Sequence, residues 1–192
     1  MFPWFSFLSF TTINTFTPGP LNIVSMNNAK NVGFKKGLKF NFGVLAGSFT
    51  IIILCLLFST ALFNMIPNIQ FPMKILGAAY MVYLIFKIMM PSKIAEVKNS
   101  NGSFLVAIFL SLINPKAIIF LITVISMYIL PYYTEIPMLL IFAFIITLFA
   151  FTSTICWALF GSLFSMVLSK YEKTSKIIMA VLLLYCAISL FL

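Results

Sequence analysis

The sequence predicts an all-α polytopic membrane protein of six transmembrane helices, arranged as a 3+3 inverted repeat in which helices one and four are broken. Three observations carry that expectation. Of 192 residues, 62% are hydrophobic and 8% charged, and the mean hydropathy of +1.15 lies outside the range of soluble domains. Apolar runs long enough to cross a bilayer recur at about residues 3–26, 42–64, 72–91, 104–130, 136–165 and 176–192. Helix breakers sit inside the first and fourth runs, as Thr17-Pro18-Gly19-Pro20 and Asn114-Pro115-Lys116.

The first run lacks the positive n-region of a signal peptide, and no small-residue cleavage site precedes the next lysine, so it is read as a span. Trp4 is expected at its outer interface. Thr11, Thr15, Pro18, Asn22 and Ser25 follow at steps of four, three, four and three, which places them on one helical stripe. That side avoids lipid. Its polar groups either bond to helix carbonyls and a neighbouring helix, or face a wet, substrate-bearing surface.

In the second run Gly43 and Gly47 form a small-xxx-small pair, with Gly33 and Gly37 at the same spacing just before it. Glycine lets helix backbones approach closely, and this second helix is expected to hold the broken first one in place. Gly77-Ala78-Ala79 in the third run reads the same way. Thr147, Thr154 and Gly161 recur by sevens in the fifth run and give it a weaker polar face.

The lysines sort by connection. Lys30, Lys35, Lys36 and Lys39 lie between the first two runs, Lys87, Lys93 and Lys98 flank the third connection, and Lys170, Lys173 and Lys176 occupy the fifth. The second and fourth connections hold none between the spans. This bias marks one cytoplasmic face and puts both termini outside. The formal charge of +9 therefore answers to anionic lipid headgroups, not to nucleic acid. Short connections leave no room for a soluble catalytic unit, so residues 1–192 read as a single transmembrane domain that is not an enzyme. The glycine-rich faces leave room for a homodimer.

Cys55, Cys156 and Cys186 fall in apolar runs without CxxC spacing, and the chain has no histidine, so no metal site or cofactor is expected. Cys55 and Cys156 occupy corresponding runs, two and five. That leaves a six-span membrane thiol-relay oxidoreductase as one alternative. A passive channel or accessory membrane subunit is the other, although no ring of like charges or repeated carbonyl filter is present.

Paired helix interruptions are the best sequence pointer to the midplane site of a secondary transporter. Thr or Asn before Pro is the grammar of an N-cap followed by a first turn, so half-helices are expected to begin at Pro115 and at Pro18 or Pro20. With three spans per half, the two half-helix N-termini approach the midplane from opposite sides. Their free N–H groups and positive dipole ends favour a carboxylate. Lys116, deep in a span, must be paired or wet, by a carbonyl, a water or a bound carboxylate, or else snorkel. The chain contains no Asp, and Glu96, Glu135 and Glu172 all fall in connections. A cation is thus a poorer ligand than an anion or a zwitterion whose ammonium is held by carbonyls, by Asn22 or Asn114, or by the rings of Tyr80 and Tyr83. The expected binding set is Thr17, Pro18, Gly19, Pro20, Asn22, Tyr80, Asn114, Pro115 and Lys116, with Gly43, Gly47 and Gly77 as helix-packing positions.

At these residues the chain resembles the LysE/RhtB family of small bacterial amino-acid exporters, over nearly its whole length. The resemblance rests on Thr17-Pro18-Gly19-Pro20, the glycines Gly33, Gly37, Gly43 and Gly47, the run Gly77-Ala78-Ala79-Tyr80-Met81-Val82-Tyr83-Leu84, and Asn114-Pro115-Lys116-Ala117. It implies a proton-driven or potential-driven efflux carrier for a small amino acid or related carboxylate metabolite in the bacterial inner membrane. Where family members often carry acidic residues, this chain has Leu21 and Ser48, and Ala180 and Tyr185 stand where glycine is usual. Lysine is therefore not carried over as the substrate.

Overall fold

One Pro-Gly-Pro break and one glycine corner set the course of the first third of the chain. A computed structural model describes residues 2–57, 71–72, 75, 78–86, 88–89 and 100–189. Helix α1 (Trp4–Phe16) stops at Thr17, which is extended at φ −56°, ψ 138° as a residue preceding proline must be. Helix α2 (Pro20–Val32) starts with Pro at its first position and Gly19 as its N-cap. Each has 13 residues and is about 20 Å long, too short to cross a bilayer alone. Gly33 then turns the corner at φ 81°, ψ 160°, a region essentially restricted to glycine, and α3 (Phe34–Leu57) follows at once.

The corner corrects the expected boundary of the second span. Lys35, Lys36 and Lys39 lie within α3, which begins eight residues before the apolar run at 42. Lysine is a good helix former, so the helix runs on where the hydropathy fades.

The second break lies at Asn114. Helix α4 (Ser100–Ile113) and α5 (Pro115–Val124) are separated by Asn114 alone, and the segments Phe104–Ile113 and Pro115–Ile129 are bent by 60°. A π-helical turn at Ile125–Ile129 continues α5. Helix α6 (Ile136–Leu163), the short α7 (Ser165–Lys170) and α8 (Glu172–Ser189) complete the described chain. Among the described residues α3 and α6 are each long and apolar enough to cross a membrane, and the bent α4–α5 pair is a third such element. Helix α8 carries Glu172, Lys173 and Lys176 in its first turns, ahead of its apolar stretch. Gly77 and the connection at 91–99 lie outside the described residues.

Large apolar side chains stand exposed on the outside of the bundle, and polar ones join the apolar core inside. Phe5, Phe144 and Leu163 stand 86%, 57% and 73% exposed, while Thr11, Asn22, Ser25, Asn41, Ser111, Asn114, Thr147, Ser153 and Thr154 are buried. Leucine and phenylalanine meet lipid, and the polar stripe of the first span turns inward as its spacing predicts. A buried apolar cluster of Phe2, Phe7, Ile51, Ile52, Val124, Ile129 and Phe142 closes one side of the bundle. Phe2 packs there against the rings of Phe7, Tyr132, Tyr133 and Phe142.

The glycines close the other side, with partners that differ in part from expectation. A Cβ at Gly47 would lie 2.7 Å from that of Ser111, and one at Gly43 would overlap the Phe104 carbonyl oxygen, so this pair seats α3 against α4. The broken first span is instead held by Gly37 against Ala29 and by Gly161 of α6 against the Met26 carbonyl. These glycine faces are thus spent on contacts within the chain. At the lysine-bearing face Glu172 pairs with Lys176 at 2.7 Å. Lys30, at the end of α2, has its pKa lowered by partial burial, which the nearby Glu172 offsets.

Two alanine replacements separate these roles. Nothing lies within 4 Å of a methyl at Gly33, so Gly33→Ala carries a purely backbone cost of about 1–3 kcal/mol. Gly161→Ala must push one helix backbone away from another and should cost more. Thermal unfolding in detergent should rank Gly161→Ala below Gly33→Ala, and the reverse order would contradict the packing.

Candidate functional site

A helix that ends inside a membrane leaves its last carbonyls without intrahelical partners, and each costs several kcal/mol if left bare. At the end of α1, side chains from other helices take up that duty. The Asn22 Nδ2 amide of α2 donates to the Thr15 carbonyl at 2.8 Å and to that of Thr17 at 3.1 Å. From α6, Ser153 Oγ donates to Thr15 O at 2.8 Å, and Trp157 Nε1 to Phe16 O at 3.2 Å.

Lys116 closes the set from the other break. Its Nζ donates to the carbonyls of Thr17 at 3.1 Å and Pro18 at 3.2 Å, ninety-nine and ninety-eight residues away in sequence. Of the partners foreseen for this lysine, the structure shows carbonyls. An ammonium at the carbonyl end of a helix is also favoured by the dipole. Cys186 of α8 donates its thiol to the same Pro18 carbonyl at 2.8 Å. The lysine stem lies along Gly19, where an added Cβ would stand 3.2 Å from Nζ and 3.3 Å from Cδ. A side chain at Gly19 would therefore press directly on the ammonium.

The helix starts complement these ends. In α2 the first intrahelical bond runs from Ile23 N to Gly19 O, and in α5 from Ile118 N to Asn114 O. Proline at each first position has no N–H, and Asn114 Oδ1 caps Lys116 N at 3.2 Å. The N–H groups of Leu21, Asn22 and Ala117 thus have no partner in their own helices. All three residues line one cavity of about 80 Å³, room for several waters. Gly19, Asn114 and Lys116 also line it, so both helix starts open on the same space.

Hydroxyl and amide groups complete the lining: Asn14, Thr15, Ser48, Thr147 and Thr154, against Val44, Ile51, Phe120, Leu121 and Ile146. Several have already spent their protons. Asn14 Nδ2 donates to Phe10 O at 2.9 Å, Thr15 Oγ1 to Thr11 O at 2.8 Å, Thr147 Oγ1 to Ala143 O at 2.8 Å and Thr154 Oγ1 to Phe151 O at 2.9 Å. What such hydroxyls have left to offer is lone pairs, which suit an ammonium without any carboxylate.

Gly19, Asn22, Asn114 and Lys116, among the residues singled out from the sequence, line the cavity. Pro20 and Pro115 start the half-helices, and Thr17 and Pro18 serve through their carbonyls. Gly19, rather than Thr17, caps α2, and its half-helix starts at Pro20 rather than Pro18. Tyr80 is not among the lining residues. Its ring packs beside the Phe40–Val44–Ala107–Leu110 cluster and 6.3 Å from that of Tyr83, and its buried hydroxyl lacks a partner among the described residues. Sequence reasoning missed Ser153, Trp157 and Cys186. A tryptophan in the middle of an apolar span, away from either interface, is the available signal for Trp157; nothing marks the other two.

Residues 12–192 match the LysE type translocator family. The chain belongs to that family. It is 31% identical over 189 residues to a "Cysteine/O-acetylserine efflux protein" of Salmonella paratyphi A, and 29% identical over 187 residues to one of Escherichia coli O1:K1 / APEC. Each match covers 97% of this chain and 96% of the relative. No solved structure matches the chain. The protein is thus a multi-pass membrane translocator of the amino-acid export class and not an enzyme, which removes the thiol-relay reading. Consistently, Cys55 is buried and Cys156 exposed, both as free thiols.

Donor deletions at the α1 end should be graded in this translocator. Trp157→Phe strips the indole donor from Phe16 O and should cost about 1–3 kcal/mol. Ser153→Ala should cost less, because Thr15 O keeps Asn22. Unfolding in detergent reads both, and equal losses would argue against carbonyl satisfaction as the reason for these side chains.

Proposed function

We propose that the protein is a secondary active efflux carrier that exports a small amino acid or related carboxylate metabolite from the cytoplasm by alternating access. The observation that supports this best is one cavity lined by residues of both half-helix starts, three of which have backbone N–H groups unpaired within their helices, and by Lys116. Anions favour such a wall, and spent hydroxyls on Thr15, Thr147 and Thr154 suit the ammonium of a zwitterion. Cysteine and O-acetylserine, for which the relatives are named, are small neutral zwitterions of the kind this lining favours. Leu21 and Ser48 line the cavity without bringing a carboxylate, which disfavours cationic amino acids.

The reading includes one transmembrane domain of six spans in a 3+3 inverted arrangement, with both termini outside and the lysines toward anionic headgroups. It draws support from the pairing of spans. The second span of the first half, α3, packs on the broken span of the second, and α6 packs on the broken span of the first. Driving force comes from the proton gradient or the membrane potential.

In cells fed a dipeptide mixture, overexpression should lower the internal level of at least one small neutral amino acid. Asn114→Leu, which removes the cap of α5, should reduce that export by more than about tenfold, as one buried polar contact is worth. Proteoliposomes should show flux of the same solute against its gradient. Unchanged pools with well-expressed protein, or flux that only dissipates a gradient as a channel would, contradict the proposal.

A further inference from the structure

The junction at Pro18 carries a second consequence, which rests on the export reading. Lys116 Nζ holds the carbonyls of Thr17 and Pro18, yet Lys116 also lines the cavity, together with Leu21, Asn22 and Ala117 of the two helix starts. These positions place the one cation among the described lining residues between two acceptors, the neutral carbonyls of one break and whatever anion enters the cavity. A carboxylate is the stronger of the two, because it meets the ammonium with a full negative charge where a carbonyl offers only the end of a dipole. The lysine side chain, a flexible four-carbon stem with three donors, can turn from one to the other without movement of its backbone.

We propose that Lys116 is the residue that couples solute occupancy to movement of the broken first span: a bound carboxylate draws the ammonium off Thr17 and Pro18 and so unclamps the end of α1. Once the lysine leaves, Thr17 O keeps Asn22, but among the described residues Pro18 O keeps the thiol of Cys186, a weak donor. The Pro18-Gly19 linker is then the least-held stretch of the span, and it joins a 13-residue helix fixed to α6 through Ser153 and Trp157 to one fixed through Gly161. A ligand moves such an equilibrium only through its different affinity for the two states, and here that difference is the exchange of carbonyl for carboxylate on one ammonium. The same exchange gives Gly19 its reason: any side chain there would stand in the path of the lysine stem. Neutral solutes without a carboxylate leave the clamp shut.

Cys186 is a built-in reporter, being 3% exposed and bonded to the carbonyl that the lysine would release. In a Cys55→Ala, Cys156→Ala background, the full-length protein in detergent is alkylated with N-ethylmaleimide and the Cys186 rate is measured. Lys116→Met, with no solute, should raise that rate by about fivefold or more, the low end of ordinary site-to-site coupling. Lys116→Arg, which keeps the donors, should not. O-acetyl-L-serine should raise the wild-type rate and leave Lys116→Met unchanged, while 2-aminoethyl acetate, the same molecule without its carboxylate, should do nothing. An unaltered rate in Lys116→Met overturns the inference. So does a rate that responds to the mutation but to no carboxylate, which reduces Lys116 to a strut. Thermal-shift binding of O-acetyl-L-serine to the wild type then locates the error: bound solute without a rate change faults the coupling, and absent binding faults the export reading as well.

Discussion

Everything in this bundle follows from one constraint, that a helix interrupted in hydrocarbon must have its loose backbone groups taken up by protein. The carbonyl end of α1 meets that constraint with donors from Asn22, Ser153, Trp157, Lys116 and Cys186. They come from helices otherwise scattered along the chain, so satisfying one broken end fixes how α2, α5, α6 and α8 assemble around it. The N–H ends are treated differently. One is capped, by Asn114, and the residues that carry the others, Leu21, Asn22 and Ala117, line a cavity. Acceptors satisfied and donors left free is the asymmetry on which the proposed carboxylate site rests.

The enclosing packing serves the same end. On one side the aromatic cluster around Phe2 and Phe142 fills the bundle, and on the other glycine contacts bring α3 against α4 and α6 against α2. The cavity is lined at mid-helix by Val44, Ser48 and Ile51 of α3 and by Ile146, Thr147 and Ala150 of α6. Large rings and absent side chains thus achieve closure by opposite means.

Much of this is legible in the sequence because breakers and polar stripes obey local rules. Pro at a first helical position and Asn as a cap follow from single-helix geometry, and the structure shows them; Thr11, Asn22 and Ser25 are buried as expected, although the break puts them on two helices. Glycine spacing identifies close approach at Gly43 and Gly47, but not the partner, since a small-residue pair says that a backbone comes near and not which one. The lysine-rich start of α3 reads as a connection because hydropathy fades there, although helix propensity does not. Ser153, Trp157 and Cys186 are illegible for a physical reason. Their role is fixed by carbonyls at the α1 end that lie more than a hundred residues away, and no local pattern encodes such a pairing.

The meeting of the two breaks is the claim on which the rest stands, and it has a direct measurement. Cysteines placed at Gly19 and Lys116, in a chain with Cys55, Cys156 and Cys186 replaced by alanine, should be joined by a short bifunctional thiol reagent in native membranes. Mass spectrometry should then recover the two peptides linked within one chain. Cysteines that each react singly yet never join would show that the interruptions lie apart, and the shared hollow would not exist.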